Sequence, residues 1–278
     1  SGFFLLIGFA WNQFGSPIVL FKSIPETYLD PLGGNTVQYV LVWFFIAAWT
    51  FIDPGFYQRC AAAESPETAK KGLLISIGFW VIFDCLTVLA GLYAVTIIQT
   101  DQALLSFPLL GQHILPMGVL GLFITGLLAT IMSTIDSLSL ISAITFGRDI
   151  LWRIQRPKTD SNPVPLVRKG LVIISFLSLF LAFAVPSVVG LFYAIGSVLI
   201  PGLILPFIFT LWNEKVQLSE RLANQWIIIP VGVSLIWFGL SQISGHPFMG
   251  IEPFYPGMVF SLIMGSFILP RSAPRDTK

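Results

Sequence analysis

Apolar runs of about 20 residues recur along this chain, separated by short clusters of charge, proline and glycine, and that is the length a helix needs to cross a bilayer. In hydrocarbon every backbone N–H and C=O must find a partner inside the protein, so such runs become helices. The composition leaves no other class open: 55% of residues are hydrophobic and 10% charged, and the mean hydropathy is +0.84. An all-α polytopic membrane protein is expected. Periodicity and the Pro/Gly/charge punctuation place eight spans, at 2–21, 37–57, 72–98, 116–146, 167–184, 188–212, 226–243 and 255–270. A short apolar stretch at 102–113 reads as interfacial, and the fourth span continues as a polar helix to Gln155. Residues 1–270 therefore read as one transmembrane domain and 271–278 as a tail.

The basic residues orient these spans. Arg59, Lys70 and Lys71 fall between spans two and three, and Arg148, Arg153, Arg156, Lys158, Arg168 and Lys169 between four and five. Lys215 and Arg221 follow span six; Arg271, Arg275 and Lys278 follow span eight. Of the 15 Lys and Arg, only Lys22 lies elsewhere. By the positive-inside rule these alternate loops face the cytoplasm, and both ends of the chain with them. The expected location is a cell membrane, inner or plasma, with lipid around the spans. A net charge of +1 argues against a nucleic-acid partner. Two cysteines, Cys60 and Cys85, make no disulfide framework, and no Cys/His cluster has metal-ligand spacing. The sequence has no HExxH, no nucleophile elbow and no Ser/His pair within a span, so no enzyme is expected. The chain opens on Ser1 with an apolar run starting at Phe3, which suggests a piece of a longer protein.

Polar residues inside spans narrow the reading. Asp84 and Asp136 sit well within theirs, where a carboxylate costs about 2.5–3.5 kcal/mol on insertion scales. Each faces a cavity or pathway, or else is an acid hydrogen-bonded between two helices. Around Asp136 runs a row of hydroxyls: Thr130, Ser133, Thr134, Ser137, Ser139, Ser142 and Thr145. Hydroxyls in membrane helices bond back to the carbonyl four residues earlier or tie helix pairs together. The alternative is an ion site. On a helix the Thr130 carbonyl points toward side chains three and four residues on, so it can converge with the hydroxyls of Ser133 and Thr134. Three neutral oxygens suit a partly dehydrated monovalent cation, given further ligands from another segment. Span two breaks at Asp53-Pro54-Gly55, with Trp49, Phe51, Phe56 and Tyr57 as aromatic walls. Unwound backbone of that kind lines a cavity in transporters, and a simple interfacial kink is the other reading. Span six, with Gly196, Pro201, Gly202 and Pro206, should bend; His113 and His246 read as surface residues of outer loops.

Three stretches together resemble the sodium:solute symporter family, the group of the sodium–glucose, sodium–proline and sodium–iodide transporters. They are Gln58-Arg59 followed by AAAESPETAKKG, the run Leu128-Ala129-Thr130-Ile131-Met132-Ser133-Thr134-Ile135-Asp136-Ser137, and Asp149-Ile150. The resemblance implies the leucine-transporter-type inverted-repeat fold: here the end of the first five-helix repeat, the whole second repeat and two peripheral helices. It implies a sodium ion, the coupling ion, held by Ser133, Thr134 and the Thr130 carbonyl. The family's usual alanine is a threonine at 130, which leaves a backbone ligand intact. The remaining ligands would come from N-terminal helices beyond this chain. Trp49 falls near an inner aromatic gate and Arg59 matches the family's arginine. Asp53-Pro54 departs from the amide pair of the sugar transporters and argues against a sugar. The implied activity is sodium-coupled symport of a small solute by alternating access, with Trp49, Asp53, Arg59, Asp84 and Asp136 as substrate or gate candidates. The competing reading is a solute-sensing transmembrane input domain of a signalling protein.

Overall fold

The computed structural model describes residues 2–98, 102–155, 162–185, 187–212, 216–269 and 273–274. The tail expected at 271–278 therefore lies outside the described residues except for Ala273–Pro274, as do Arg156, Lys158 and Lys215. The chain is helical throughout: α1 (Gly2–Phe14), α2 (Pro17–Ser23), α3 (Val37–Ile46), α4 (Pro54–Ala61), α5 (Pro66–Ile97), α6 (Ser106–Ile114), α7 (Met117–Ile144), α8 (Trp152–Gln155), α9 (Val164–Ala184), α10 (Val188–Trp212), α11 (Glu220–Ser244) and α12 (Phe254–Ile268). Two-residue strands at Val216–Gln217 and Ala273–Pro274 pair antiparallel.

Helix starts follow local chemistry. The hydroxyls of Thr36, Ser65 and Ser219 accept from the amides of Tyr39, Thr68 and Leu222, each capping its helix. Pro66 adds a first-turn proline to α5. α11 ends on Gly245, whose φ of 73° only glycine adopts readily.

Six segments among the described residues are long and apolar enough to cross a membrane: Val37–Ala61, Pro66–Ile97, Met117–Gln155, Val164–Ala184, Val188–Leu211 and Glu220–Ser244. Each coincides with an expected span. The first expected span, 2–21, is instead two helices bent by 69°. The break is Gly15-Ser16-Pro17, where Gly15 takes a φ of +96° and proline has no amide to continue the ladder. The last, 255–270, is the 15-residue α12, about 22 Å long at ~1.5 Å per residue and shorter than a ~30 Å hydrocarbon core. α10 runs unbroken through Pro201 and Pro206.

The chain divides into two compact units: Ser1–Gly33 with Gln58–Leu179, and Gly34–Tyr57 with Phe180–Lys278. In the first, Leu6, Ile7 and Ala10 of α1 pack with Ala90, Tyr93 and Ala94 of α5, Leu110 and Ile114 of α6, and Phe123 of α7. The Tyr93 hydroxyl donates to the Gly15 carbonyl at 2.8 Å, satisfying a group that the break in the first span releases. α6 is the stretch expected at the interface; its Leu110, Gly111 and Ile114 are buried in this core. Beyond Ile144, α7 widens into a π-helical turn, Thr145–Leu151, before α8. There it crosses α9 on two glycines: a methyl on Gly147 would meet the Leu166 carbonyl at 2.7 Å, and one on Gly170 the Ala143 carbonyl at 2.7 Å.

In the second unit Val42 and Ile46 of α3, Ile200 and Ile204 of α10, and Phe254 of α12 form the core. Helices α10, α11 and α12 close on small residues. Gly257, Ser261 and Gly265 are spaced four apart and all buried on α12. This is the arrangement by which membrane helices approach closely without a hydrophobic drive. Gly265 lies against Trp226, whose indole N–H donates to the Ser261 carbonyl at 2.7 Å.

Candidate functional site

The structure brings Thr130, Ser133, Thr134 and Asp136 together on the middle of α7, in the first unit. Every residue from Thr130 to Asp136 is exposed. The Thr134 hydroxyl donates to the Thr130 carbonyl at 3.0 Å, and the Thr130 hydroxyl to the Gly126 carbonyl at 2.9 Å. This is the back-bonding weighed against an ion site. A threonine oxygen that donates its proton keeps its lone pairs for a cation. The Thr130 carbonyl accepts this hydroxyl in addition to the Thr134 amide of the helix ladder, so a cation reaches it once that hydroxyl turns away. The Ser133 hydroxyl makes no hydrogen bond among the described residues, so it is free to take a ligand.

Asp84, on α5, and Asp136 are exposed, and neither side chain has a hydrogen-bond or ion-pair partner among the described residues. Nothing here ties two helices through either acid. The whole of α5 from Lys71 to Cys85 is exposed on every face. Arg59 lies exposed in α4.

Trp49 and Asp53 belong to the second unit. As expected, span two is interrupted here. α3 tightens into a 3-10 turn at Ala47–Phe51, and α4 restarts at Pro54. Asp53 takes the N-cap of that restart: its Oδ1 accepts from the Gly55 amide at 2.6 Å, and its carbonyl from the Phe56 amide at 3.2 Å. Pro54 follows at the first helical position, where its missing N–H costs nothing. The carboxylate is thus engaged by the helix it starts. Trp49 is half-buried and lines a cavity of about 330 Å³ with Ile52, Leu203, Pro206, Phe207 and Thr210, an almost wholly apolar wall.

A second cavity of the same unit, about 360 Å³, escapes a reading of the sequence. Glu252 lines it, only 6% exposed, and the Tyr193 hydroxyl donates to its Oε2. Tyr39 stacks on Tyr193 at 5.2 Å between ring centroids, and Trp43 lies 5.6 Å from the same ring. One signal in the sequence pointed here: a lone acid in Gly250-Ile251-Glu252-Pro253-Phe254-Tyr255, surrounded by apolar and aromatic residues rather than by the polar neighbours of an ordinary loop.

Helices of membrane length, a span broken beside an apolar cavity, and hydroxyls and acids inside other spans define a polytopic α-helical membrane transport protein. The match of known families to the chain is specific. The chain belongs to the Sodium:solute symporter family, whose profile matches residues 5–227 and so includes α1 through the first turns of α11. That family carries out sodium-coupled symport of solutes. No curated protein matches the chain.

Proposed function

We propose that this chain carries the sodium-binding helix of a symporter that moves a small solute by alternating access, with α7 supplying the Thr130 carbonyl and the Ser133 and Thr134 hydroxyls. The observation that carries the reading is the state of those three oxygens. Two lie 3.0 Å apart on one exposed helical face, and the hydroxyl beside them has no partner among the described residues. Neutral oxygens of this kind strip water from a monovalent cation without trapping it as a carboxylate pair would. The remaining ligands come, in this reading, from helices that precede this segment in a longer protein with the leucine-transporter-type repeat. Sodium and solute favour the same conformation, so each raises the affinity of the other. Trp49, Asp53, Arg59, Asp84 and Asp136 stand as substrate or gate residues, and the basic loops support a cytoplasmic side for both ends of the segment.

The test is sodium binding itself, which does not require knowing the solute. With the protein complete and in proteoliposomes, radioactive sodium binding should weaken at least tenfold in the Ser133→Ala/Thr134→Ala double variant. Undiminished sodium affinity in the double variant overturns the assignment.

A further inference from the structure

We infer that the cavity around Glu252 is a binding site for a small organic ammonium ion, separate from the sodium-binding face of α7. Glu252 is 6% exposed and lines a cavity of about 360 Å³, within the size range of small-molecule sites. Its Oε2 accepts from the Tyr193 hydroxyl. No other side chain among the described residues bonds to or pairs with this carboxylate. A buried carboxylate met by one neutral donor has acceptor capacity left for an arriving positive charge.

The walls select the kind of cation. A bare divalent ion is commonly held by more than one carboxylate, and Glu252 is the one acid among the described residues of this lining. The Ser241 hydroxyl donates to the Trp237 carbonyl and accepts from the Phe248 amide, 2.9 Å each, so it is already engaged. The rest of the wall is partly aromatic and partly polar: Tyr39, Tyr193 and Phe238 line the cavity beside Gln242 and His246, and Trp43 backs Tyr193. A carboxylate facing aromatic rings is the chemistry that recognises alkylammonium groups, the rings by their negative faces and the acid by charge. Phe238, Ser241, Gln242, Gly245, His246, Pro247, Glu252 and Pro253 all follow residue 227, beyond the stretch matched by the family. The site thus joins α11 and the loop after it to Tyr39 of α3 and Tyr193 of α10.

Isothermal titration of the protein in phosphatidylglycerol nanodiscs with tetramethylammonium chloride tests this. Saturable binding is expected, with no response to tert-butanol, a neutral molecule of similar shape. Glu252→Gln should weaken binding tenfold or more, and Tyr39→Ala severalfold. Tyr193→Phe should preserve or tighten it, because it keeps the ring and frees the acid; this variant reads the site even if Glu252→Gln fails to fold. Repeating the titration in phosphatidylcholine nanodiscs separates two sources of the same chemistry: competition marks a lipid headgroup as the occupant, and undiminished binding a soluble amine. Absence of saturable binding, equal binding of tert-butanol, or an unchanged Glu252→Gln variant each overturns the proposal and leaves Glu252 as an acid that ties α10 to the loop before α12. None of these outcomes bears on sodium binding at α7.

Discussion

Asp53 and Glu252 are both carboxylates at the end of a membrane helix, and their surroundings give them different tasks. Asp53 caps α4 through the Gly55 amide at 2.6 Å. Replacing it with alanine should cost about 1 kcal/mol of stability, and asparagine should cost almost nothing, since the cap needs only a side-chain oxygen. Thermal unfolding of the two variants in detergent checks this. Equal losses would mean that charge, not the cap, matters. Glu252 has a tyrosine hydroxyl and a partly aromatic cavity instead. Asp53 stands at a visible Pro-Gly break, whereas Glu252 is a lone acid in an apolar loop whose burial the sequence does not show. The hydroxyl row is the opposite case. Thr130, Ser133 and Thr134 share one helical face by spacing alone, so their juxtaposition is legible without coordinates.

At the scale of elements, span positions were legible because hydrophobic length and punctuation are local properties, and the six longest segments appear where expected. The 69° break in the first span was not, although Gly15 and Pro17 were in view. Pro201 and Pro206, just as visible, leave α10 unbroken. What separates the cases is tertiary: the Tyr93 hydroxyl from α5 satisfies the Gly15 carbonyl. Tyr93→Phe should therefore destabilise the first unit by ~0.5–1.5 kcal/mol, the net worth of one hydrogen bond to a half-buried acceptor. Hydrogen exchange in α1 and α2 should rise while exchange in α11 stays unchanged; uniform exchange would refute it. Helix crossings give a matching prediction. Gly257 abuts Ser234, and Gly239 has open space around it. Gly257→Leu should lower the melting temperature by the equivalent of ~1–3 kcal/mol of overpacking, and Gly239→Leu should be tolerated. Equal effects would mean that α11 and α12 do not close on that face.

For the whole molecule, the proposed orientation follows from charge and is testable with the native thiols. Cys60 is exposed at the end of α4, beside the basic loop, and Cys85 lies in the middle of α5. In a Cys85→Ala background, a membrane-impermeant maleimide should label Cys60 in inside-out vesicles and not in right-side-out ones. Labelling only from the outside would invert the topology. The sequence by itself determined that this chain is helical, that it crosses a membrane repeatedly and that it belongs with the sodium:solute symporters. Length, hydropathy and short motifs are local, and the bilayer enforces them one segment at a time. Only the tertiary structure decided which acid caps a helix and which lines a cavity, where the first span breaks, and that small residues on α12 let helices close. Those outcomes depend on which atoms other helices bring within bonding distance, and no single segment carries that information.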